Sequence, residues 1–392
     1  MSYVRNLVSY YELENKVLEG KELSKYEAYE IYKSSQTDPS QLFKTAQVLR
    51  NKFKGKTVSF SKKVFFNLIN LCRDTCSYCT YKSEPGESKI SMLSKENVVN
   101  LARLGKKYRC TEALFVTGER PEQKYEQARK WLVDNGFRST IEYLLHASEI
   151  ALKEGLFPHT NAGNLTKSEI SELKKTNVSF GLMLESASER LGEKGMPHEY
   201  APSKNPKARL AVLEDAGEIG IPTTTGLLIG IGETPYEIID SIYAIKQLHK
   251  KFGHIQEIIL QNFHPKEDTV MRSYPPADEQ YFKKVVALAR IIVPDMNIQI
   301  PPNLSFESYP SFLSVGINDW GGISPLTPDY VNPEFRWPSI ETVEKNSEKA
   351  GFEFQARFPV YPEFMSLVNS NLLSKMMEIS NEDRFVKKEY WK

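Results

Sequence analysis

The chain has 392 residues, a formal net charge of +1 from 51 Lys plus Arg against 50 Asp plus Glu, 40% apolar residues and 26% charged residues. This balance excludes a disordered chain and gives no basic footprint for nucleic acid at the level of the whole protein. Four cysteines, Cys72, Cys76, Cys79 and Cys110, are too few for a disulfide scaffold in a chain of this length. Met1–Tyr11 has no signal-type apolar core, and the most apolar windows, near Gly226–Ile231 and Val285–Val293, fall short of a bilayer span of about 20 residues. A reducing cytoplasm, away from any membrane, is the expected setting.

In chain order, residues 1–56 read as an N-terminal helical cap. Ser24-x-x-Glu27 is a capping box, and Asp38-Pro39 joins an N-cap to a proline at the first helical position. Leu42, Ala46, Leu49 and Phe53 then recur on one face. From residue 57 short apolar runs alternate with amphipathic helices. The runs are 64–71, 113–117, 157–161, 180–184, 224–231, 255–263, 298–301 and a stretch near Ile317. Ser94 opens one helix, with Leu93 and Val98 as its hydrophobic staple. Thr166-x-x-Glu169 opens another, stapled by Leu165 and Ile170. Such alternation predicts an α/β fold, a (β/α) TIM-type barrel, partial or full, over residues 57–338. Residues 339–392 read as a helical C-terminal extension.

The segment Asn70–Thr80 contains C-x3-C-x2-C, with Tyr78 just before the last cysteine. It follows a predicted strand, and active sites of (β/α) barrels lie at the C-terminal ends of their strands. Thiolates suit zinc or iron–sulfur clusters. Structural zinc closes its tetrahedron with four protein ligands, so that reading needs Cys110. Three cysteines on a 4Fe-4S cluster leave one iron open to a small molecule.

This motif resembles the signature of the radical SAM enzymes. The resemblance implies that Cys72, Cys76 and Cys79 hold a 4Fe-4S cluster whose fourth iron is chelated by S-adenosyl-L-methionine. Reductive cleavage of the sulfonium then yields methionine and a 5′-deoxyadenosyl radical. Thr117-Gly118-Glu119 is similar to the family's Gly-Gly-Glu motif at the methionine ammonium, with Thr in place of the first glycine. Glu185 stands where the family places a ribose contact. Gly226, Gly230 and Glu233 lie in a run similar to the family's GxIxGxxE motif near the adenine, and Tyr78 is a candidate adenine or cluster contact. A dinucleotide fingerprint starting at Gly230 would need glycine where Pro235 stands.

Further blocks resemble the deazaflavin-forming synthases of that family, from the strand before Cys72 to about Pro338. They include Pro158–Gly163, Gly181–Ser186, Thr223–Gly226, Gly253–Glu257, Gln261–Phe263, Gln299–Asn303, Ile317–Pro325 and Asp329–Pro333. The resemblance implies ring closure of a hydroxybenzyl-ribityliminouracil adduct to a deazaflavin with loss of ammonia. It implies an electron donor, and it makes a sister hydroxybenzyl-transferring subunit a candidate partner. A flat heterocycle with a ribityl chain wants amide and hydroxyl partners around an apolar slot. Thr160, Asn161, Gln261, Asn262, Gln299, Asn303 and Asn318 are the candidates, with Trp320 as a stacking face. His159 and Asp319 are the candidate proton carriers, since an unperturbed histidine titrates near pH 6.5. The alternatives are the sister hydroxybenzyl transferase, another radical SAM enzyme, or a non-catalytic zinc protein. Biotin-synthase-like relatives need more cysteines than Cys110 supplies.

Replacing Cys72, Cys76 or Cys79 by Ala should abolish cluster assembly and S-adenosylmethionine cleavage, whereas replacing Cys110 should leave both intact. Iron analysis of the four anaerobically purified variants checks this; loss of iron from the Cys110 variant contradicts the ligand assignment.

Overall fold

A computed structural model describes residues 10–392. Residues 1–9, most of the segment behind the expectation of no signal core, lie outside the described residues. Eight parallel strands run in chain order: β1 (Thr57–Ile69), β2 (Glu112–Thr117), β3 (Phe157–Asn161), β4 (Ser179–Gly181), β5 (Thr223–Ile229), β6 (Ile255–Asn262), β7 (Asn297–Gln299) and β8 (Asp319–Ile323). Each pairs with the next, and β8 pairs back onto β1 through Ser59↔Asp319 and Lys62↔Ile323. The barrel is therefore closed.

Side-chain alternation along β1 explains how it packs. Val64, Phe66 and Leu68 face the core between strands and helices, and Lys63 and Phe65 face the interior. The strand begins earlier than the predicted run, because the apolar positions before Val64 are interleaved with Ser and Lys that also point inward. β4 is shorter than predicted. Beyond it, the Leu184 N–H donates to Thr225 Oγ1 (3.3 Å) and leaves the ladder.

The cap consists of helices Tyr10–Leu18, Lys25–Ser34 and Ser40–Lys54. The Ser24/Glu27 capping box forms, as does the Thr166/Glu169 box. The third helix starts one residue later than predicted, with Asp38 Oδ1 accepting the Ser40 N–H (3.0 Å). Leu42, Ala46 and Leu49 are buried, and Phe53 is exposed. The Ser40–Lys54 helix lies on helix Glu279–Ile292, and Lys25–Ser34 on Pro235–Phe252, so the cap covers one flank of the barrel.

The C-terminal extension is not purely helical. Between helices Ile340–Lys349 and Ser370–Glu378 it forms β9 (Glu353–Arg357), which pairs in parallel with the first five residues of β1. Periodicity misses this strand, because five residues with exposed and buried positions mixed give little period-2 signal. β9 carries Arg357 under the barrel. Its guanidinium grips Asp319 through Nε–Oδ2 (2.8 Å) and Nη2–Oδ1 (3.0 Å), and Nη2 reaches Glu257 Oε2 (3.4 Å). The Tyr361 hydroxyl donates to the same Glu257 oxygen (2.7 Å). Burial pushes the Glu257 carboxyl up, and the adjacent guanidinium pulls it down. The Pro359 carbonyl, two residues after Arg357, accepts from Ser179 on β4 and Gln256 on β6. The extension thus forms the barrel floor.

Substituting Arg357→Leu leaves two buried carboxylates without their cation. A loss of about 3–5 kcal/mol of stability is expected. A lowered urea midpoint measures it, and an unchanged midpoint would show that the floor does not depend on this ion cluster.

Candidate active site

The β1 strand runs directly into the cysteine loop. Loop residues are held by main-chain bonds on several sides: Arg73 N–H to Glu119 O (2.8 Å), Thr75 N–H to Tyr200 O (2.8 Å), and Ser77 N–H to Pro197 O (3.0 Å). The Asn70 side chain anchors the base of the loop, donating to Ser83 Oγ (3.0 Å) and Lys89 O (2.9 Å) and accepting from Ser91 N–H (2.7 Å). Cys72, Cys76 and Cys79 are half-buried free thiols on the wall of one cavity of about 320 Å³. Burial pushes the Cys72 thiol up to about 11 and Cys76 higher still, so metal binding must displace protons there. Cys110 is elsewhere. It precedes β2, whereas Cys72 follows β1, and the two strands are parallel and in register from Lys63↔Glu112 to Ile69↔Thr117. A whole strand length, about 20 Å at 3.3 Å per residue, therefore separates it from the other three. Its thiol donates to Lys63 O (3.5 Å). A four-cysteine zinc site does not form.

Next to the thiols the wall carries the Thr117-Gly118-Glu119 turn. Gly118 N–H donates to Ile69 O (2.7 Å), and a Cβ on Gly118 would stand 1.9 Å from Leu71 O. Only glycine allows the end of β2 to approach the cysteine loop this closely. The Glu119 N–H donates to Cys72 Sγ (3.2 Å), and its Oε2 accepts from Asn164 N–H (2.9 Å). Glu119 Oε1 and Asp74 Oδ1 are buried acceptors without a hydrogen-bond partner among the described residues. Burial pushes the Glu119 carboxyl up, a cost that a cation beside it would offset. Arg73 approaches both acceptors without hydrogen-bonding them, its Nη2 3.6 Å from Glu119 Oε1 and its Nε 4.0 Å from Asp74 Oδ1. Two acceptors with unfilled hydrogen bonds beside three free thiols fit an amino group presented next to a cluster, which is how S-adenosylmethionine would sit.

Glu185 lines the cavity with a left-handed backbone (φ 63°), held by its N–H to Gly226 O (2.9 Å), and its carboxylate pairs with Lys204. Tyr78 hydrogen-bonds His198 Nε2 (3.0 Å) and packs against the apolar cluster of Leu191, Ile231, Phe263 and Met271. Three residues of the glycine motif do not line the cavity. Glu233 is consumed locally, its Oε1 and Oε2 accepting from Gly230 N–H (2.7 Å) and Ile231 N–H (2.9 Å). Gly230 (φ 99°) is the bend of that turn, and Gly226 lies against Ile259 O, 2.0 Å from where a Cβ would stand.

The expected substrate residues divide by strand parity. His159 and Asn161 on β3 face the cavity, where Gly181 leaves space for both, while Thr160 points outward to Asn177 Oδ1 (2.8 Å). Gln261, Asn262 and Gln299 line the cavity. Asn303 is engaged with Asp329 (3.1 Å) and does not line it. Asn318 is committed to Arg290 (2.9 Å) and Asn297 (2.9 Å). Trp320 borders the cavity, but its fully buried indole donates to Ser347 Oγ (3.0 Å) in the outer layer, so it offers no stacking face. Neither expected proton carrier suits that role. Asp319 is locked to Arg357 and to the Gly321 N–H (2.6 Å) under the floor. The Ser179 hydroxyl donates to Pro359 O, so its oxygen accepts from His159 Nδ1–H (2.6 Å) and leaves Nε2 unprotonated. Burial, with Arg357 and Lys63 nearby, drives His159 down to about 3. Near neutrality it is therefore uncharged, with its single proton spent on Ser179 and Nε2 able only to accept a hydrogen bond. The sequence reading missed Asp74, Lys63, Glu112, Glu257 and Trp337 on this wall. Charged residues inside otherwise apolar strands were the available signal for Lys63, Glu112 and Glu257.

The Radical SAM superfamily pattern matches residues 66–243. The chain is 43% identical over 333 residues to the 7,8-didemethyl-8-hydroxy-5-deazariboflavin synthase of Methanopyrus kandleri, covering 84% of this chain and 100% of that protein. It is 44% identical over 321 residues to the FO synthase of Nocardia farcinica, covering 80% of this chain but only 37% of that longer protein. The FeFe-hydrogenase maturase HydG from Carboxydothermus hydrogenoformans shares the fold, with a TM-score of 0.72 at 24% identity over 93% of this chain and 87% of that one. The likeness over the full length of the Methanopyrus kandleri protein, together with three free thiols on the cavity wall at the strand ends, shows that the chain belongs to the 7,8-didemethyl-8-hydroxy-5-deazariboflavin synthases of the radical SAM superfamily.

Proposed function

We propose that this enzyme converts 5-amino-5-(4-hydroxybenzyl)-6-(D-ribitylimino)-5,6-dihydrouracil to 7,8-didemethyl-8-hydroxy-5-deazariboflavin with loss of ammonia, a step toward coenzyme F-420. The observation that carries this reading is the identity over the whole length of a synthase of that name, on a chain whose thiols and amide-lined chamber share one cavity. Its cofactors are a 4Fe-4S cluster and S-adenosylmethionine. Cys72, Cys76 and Cys79 are the ligands, and the cluster, when bound and reduced, supplies the electron that cleaves S-adenosylmethionine.

This chain's own residues do the rest by position. Glu119 and Asp74 receive the methionine amino group, Glu185 is the candidate ribose contact, and Tyr78 with its apolar neighbours lines the adenine slot. Thr117 and Gly118 bring the strand end against the cysteine loop. Asn161, Gln261, Asn262 and Gln299 offer amide groups to the ribityl chain and the heterocycle. The closed wall and the floor keep water and stray hydrogens from an unselective radical. An electron donor and the sister hydroxybenzyl-transferring subunit are the proposed partners. Among the described residues no helix is long and apolar enough to cross a membrane, and half-buried free thiols suit a reducing cytoplasm.

The direct test is anaerobic reconstitution with iron and sulfide, followed by reductant, S-adenosylmethionine and the adduct. Formation of the fluorescent deazaflavin is expected. Its absence with an intact cluster sinks the reading, and turnover of tyrosine with the diaminouracil alone would favour the sister activity. Gly118→Ala places a Cβ against Leu71 O and should lower the iron bound per chain by displacing the cysteine loop. Wild-type iron content in that variant would show that the close approach is dispensable.

A further inference from the structure

The deep end of the cavity holds a cation that the wall leaves free. Lys63 points inward from β1 and is buried, yet among the described residues its Nζ has no hydrogen-bond acceptor and no carboxylate within 4.0 Å. The ammonium instead lies 5.2 Å from the centre of the Phe65 ring and 5.0 Å from that of Trp337. β8 makes room for its stem: a Cβ on Gly322 would stand 2.3 Å from Lys63 Cδ. Burial holds the lysine below its ordinary range, and Glu112 and Asp329 oppose that shift.

A second donor is stranded on the same wall. Trp337 Nε1 is buried and has no acceptor. The buried Trp337 N–H lacks an acceptor and the Lys63 ammonium beside it opens onto the cavity, a pair that suits a ligand rich in acceptors. Glu112 stands opposite Lys63 in the β1–β2 register and lines the same chamber, with one carboxylate oxygen taken by the Ser61 hydroxyl. This wall therefore presents two donors, one carboxylate acceptor and two aromatic rings. The dione edge of a uracil ring presents the complement: two carbonyl acceptors flanking one N–H on a flat heterocycle.

We propose that Lys63 and Trp337 bind the carbonyl oxygens of the substrate's pyrimidinedione, with Glu112 taking the ring N–H, so that the uracil end of the adduct lies deep and its hydroxybenzyl end faces the cysteine loop. This assigns the orientation of the substrate and rests on the deazaflavin-forming reading. The order follows from the barrel: Lys63 pairs with the first residue of β2, and the thiols follow the end of β1. A reversed substrate would set a ribityl chain or phenol against these donors and leave the carboxylate without its N–H.

The test titrates the product deazaflavin into the purified protein, read by its fluorescence, with wild type, Lys63→Met, Lys63→Arg and Trp337→Phe. Trp337→Phe keeps the ring and removes only the N–H, so its Kd should rise about fivefold, as for one neutral hydrogen bond, and Lys63→Met should weaken binding about tenfold or more. Lys63→Arg should recover part of the loss. The KM for the adduct should rise in step. A ligand with N-methylated dione nitrogen should lose affinity for wild type and much less for Glu112→Gln. Thermal melts establish that each variant is folded. Folded variants that bind the product and adduct as wild type does overturn the subsite while leaving the reaction intact. Wild type that makes no deazaflavin fails the underlying reading instead.

Discussion

The structure depends on β1 serving three partners. Its first five residues pair with β9, Ser59–Lys62 pair with β8 and close the barrel, and Lys63–Ile69 pair with β2. The same strand turns Lys63 and Phe65 into the chamber and ends in the cysteine loop. Closure, floor, chamber wall and cysteine loop thus share one rigid element. The loop needs that rigidity, since radical chemistry is governed by where the reacting atoms are held. The close contact at Gly118 transmits it, locking the end of β2 to Leu71 and so bringing Glu119 beside Cys72.

The charges inside the barrel divide into two kinds. At the floor Arg357, Asp319, Glu257 and Tyr361 satisfy one another, and their worth is structural: they seat the C-terminal extension and close the chamber from below. Higher up, Glu119 Oε1 and Asp74 Oδ1 accept no hydrogen bond and face the Arg73 guanidinium at 3.6 and 4.0 Å, Trp337 Nε1 has no acceptor, and the Lys63 ammonium lies by two aromatic rings with no carboxylate within 4.0 Å. A buried polar group is normally paired, so those left unpaired on the cavity wall are the ones a ligand can complete. They fall at two ends of one cavity, consistent with a cofactor end by the thiols and a substrate end near the floor.

Legibility tracked the range of the interaction. Ser24/Glu27 and Thr166/Glu169 are local pairs three residues apart, and both boxes form as read. The cysteine motif and the turn at Thr117–Glu119 are equally local, and they meet at one wall. The polar residues of the strands were harder. Naming His159, Thr160 and Asn161 together ignored period-2 alternation, which sends Thr160 to the helix layer; the same reasoning would have picked out Lys63 and Glu257. Asn318, Asp319 and Trp320 were drawn away by partners far along the chain, at Arg290, Arg357 and Ser347. His159 needed its surroundings as well, since a histidine that titrates near 6.5 in water falls to about 3 when buried beside Arg357 and Lys63.

What the sequence determined alone was the inventory and its order: three clustered thiols after a strand, alternating strands and helices, and motif blocks spaced as in one enzyme family. These are statements about neighbours along the chain, where spacing and propensity act directly. Which polar groups face the chamber, which are spent on one another, and which remain free was decided by closure of the barrel and by β9 arriving from nearly 300 residues beyond β1. Pairing between such distant segments is set by packing and desolvation of the whole fold. For that reason the neutrality of His159 and the free ammonium of Lys63 emerge only in three dimensions, whereas the bystander role of Cys110 was already legible in its distance along the chain from the three clustered cysteines.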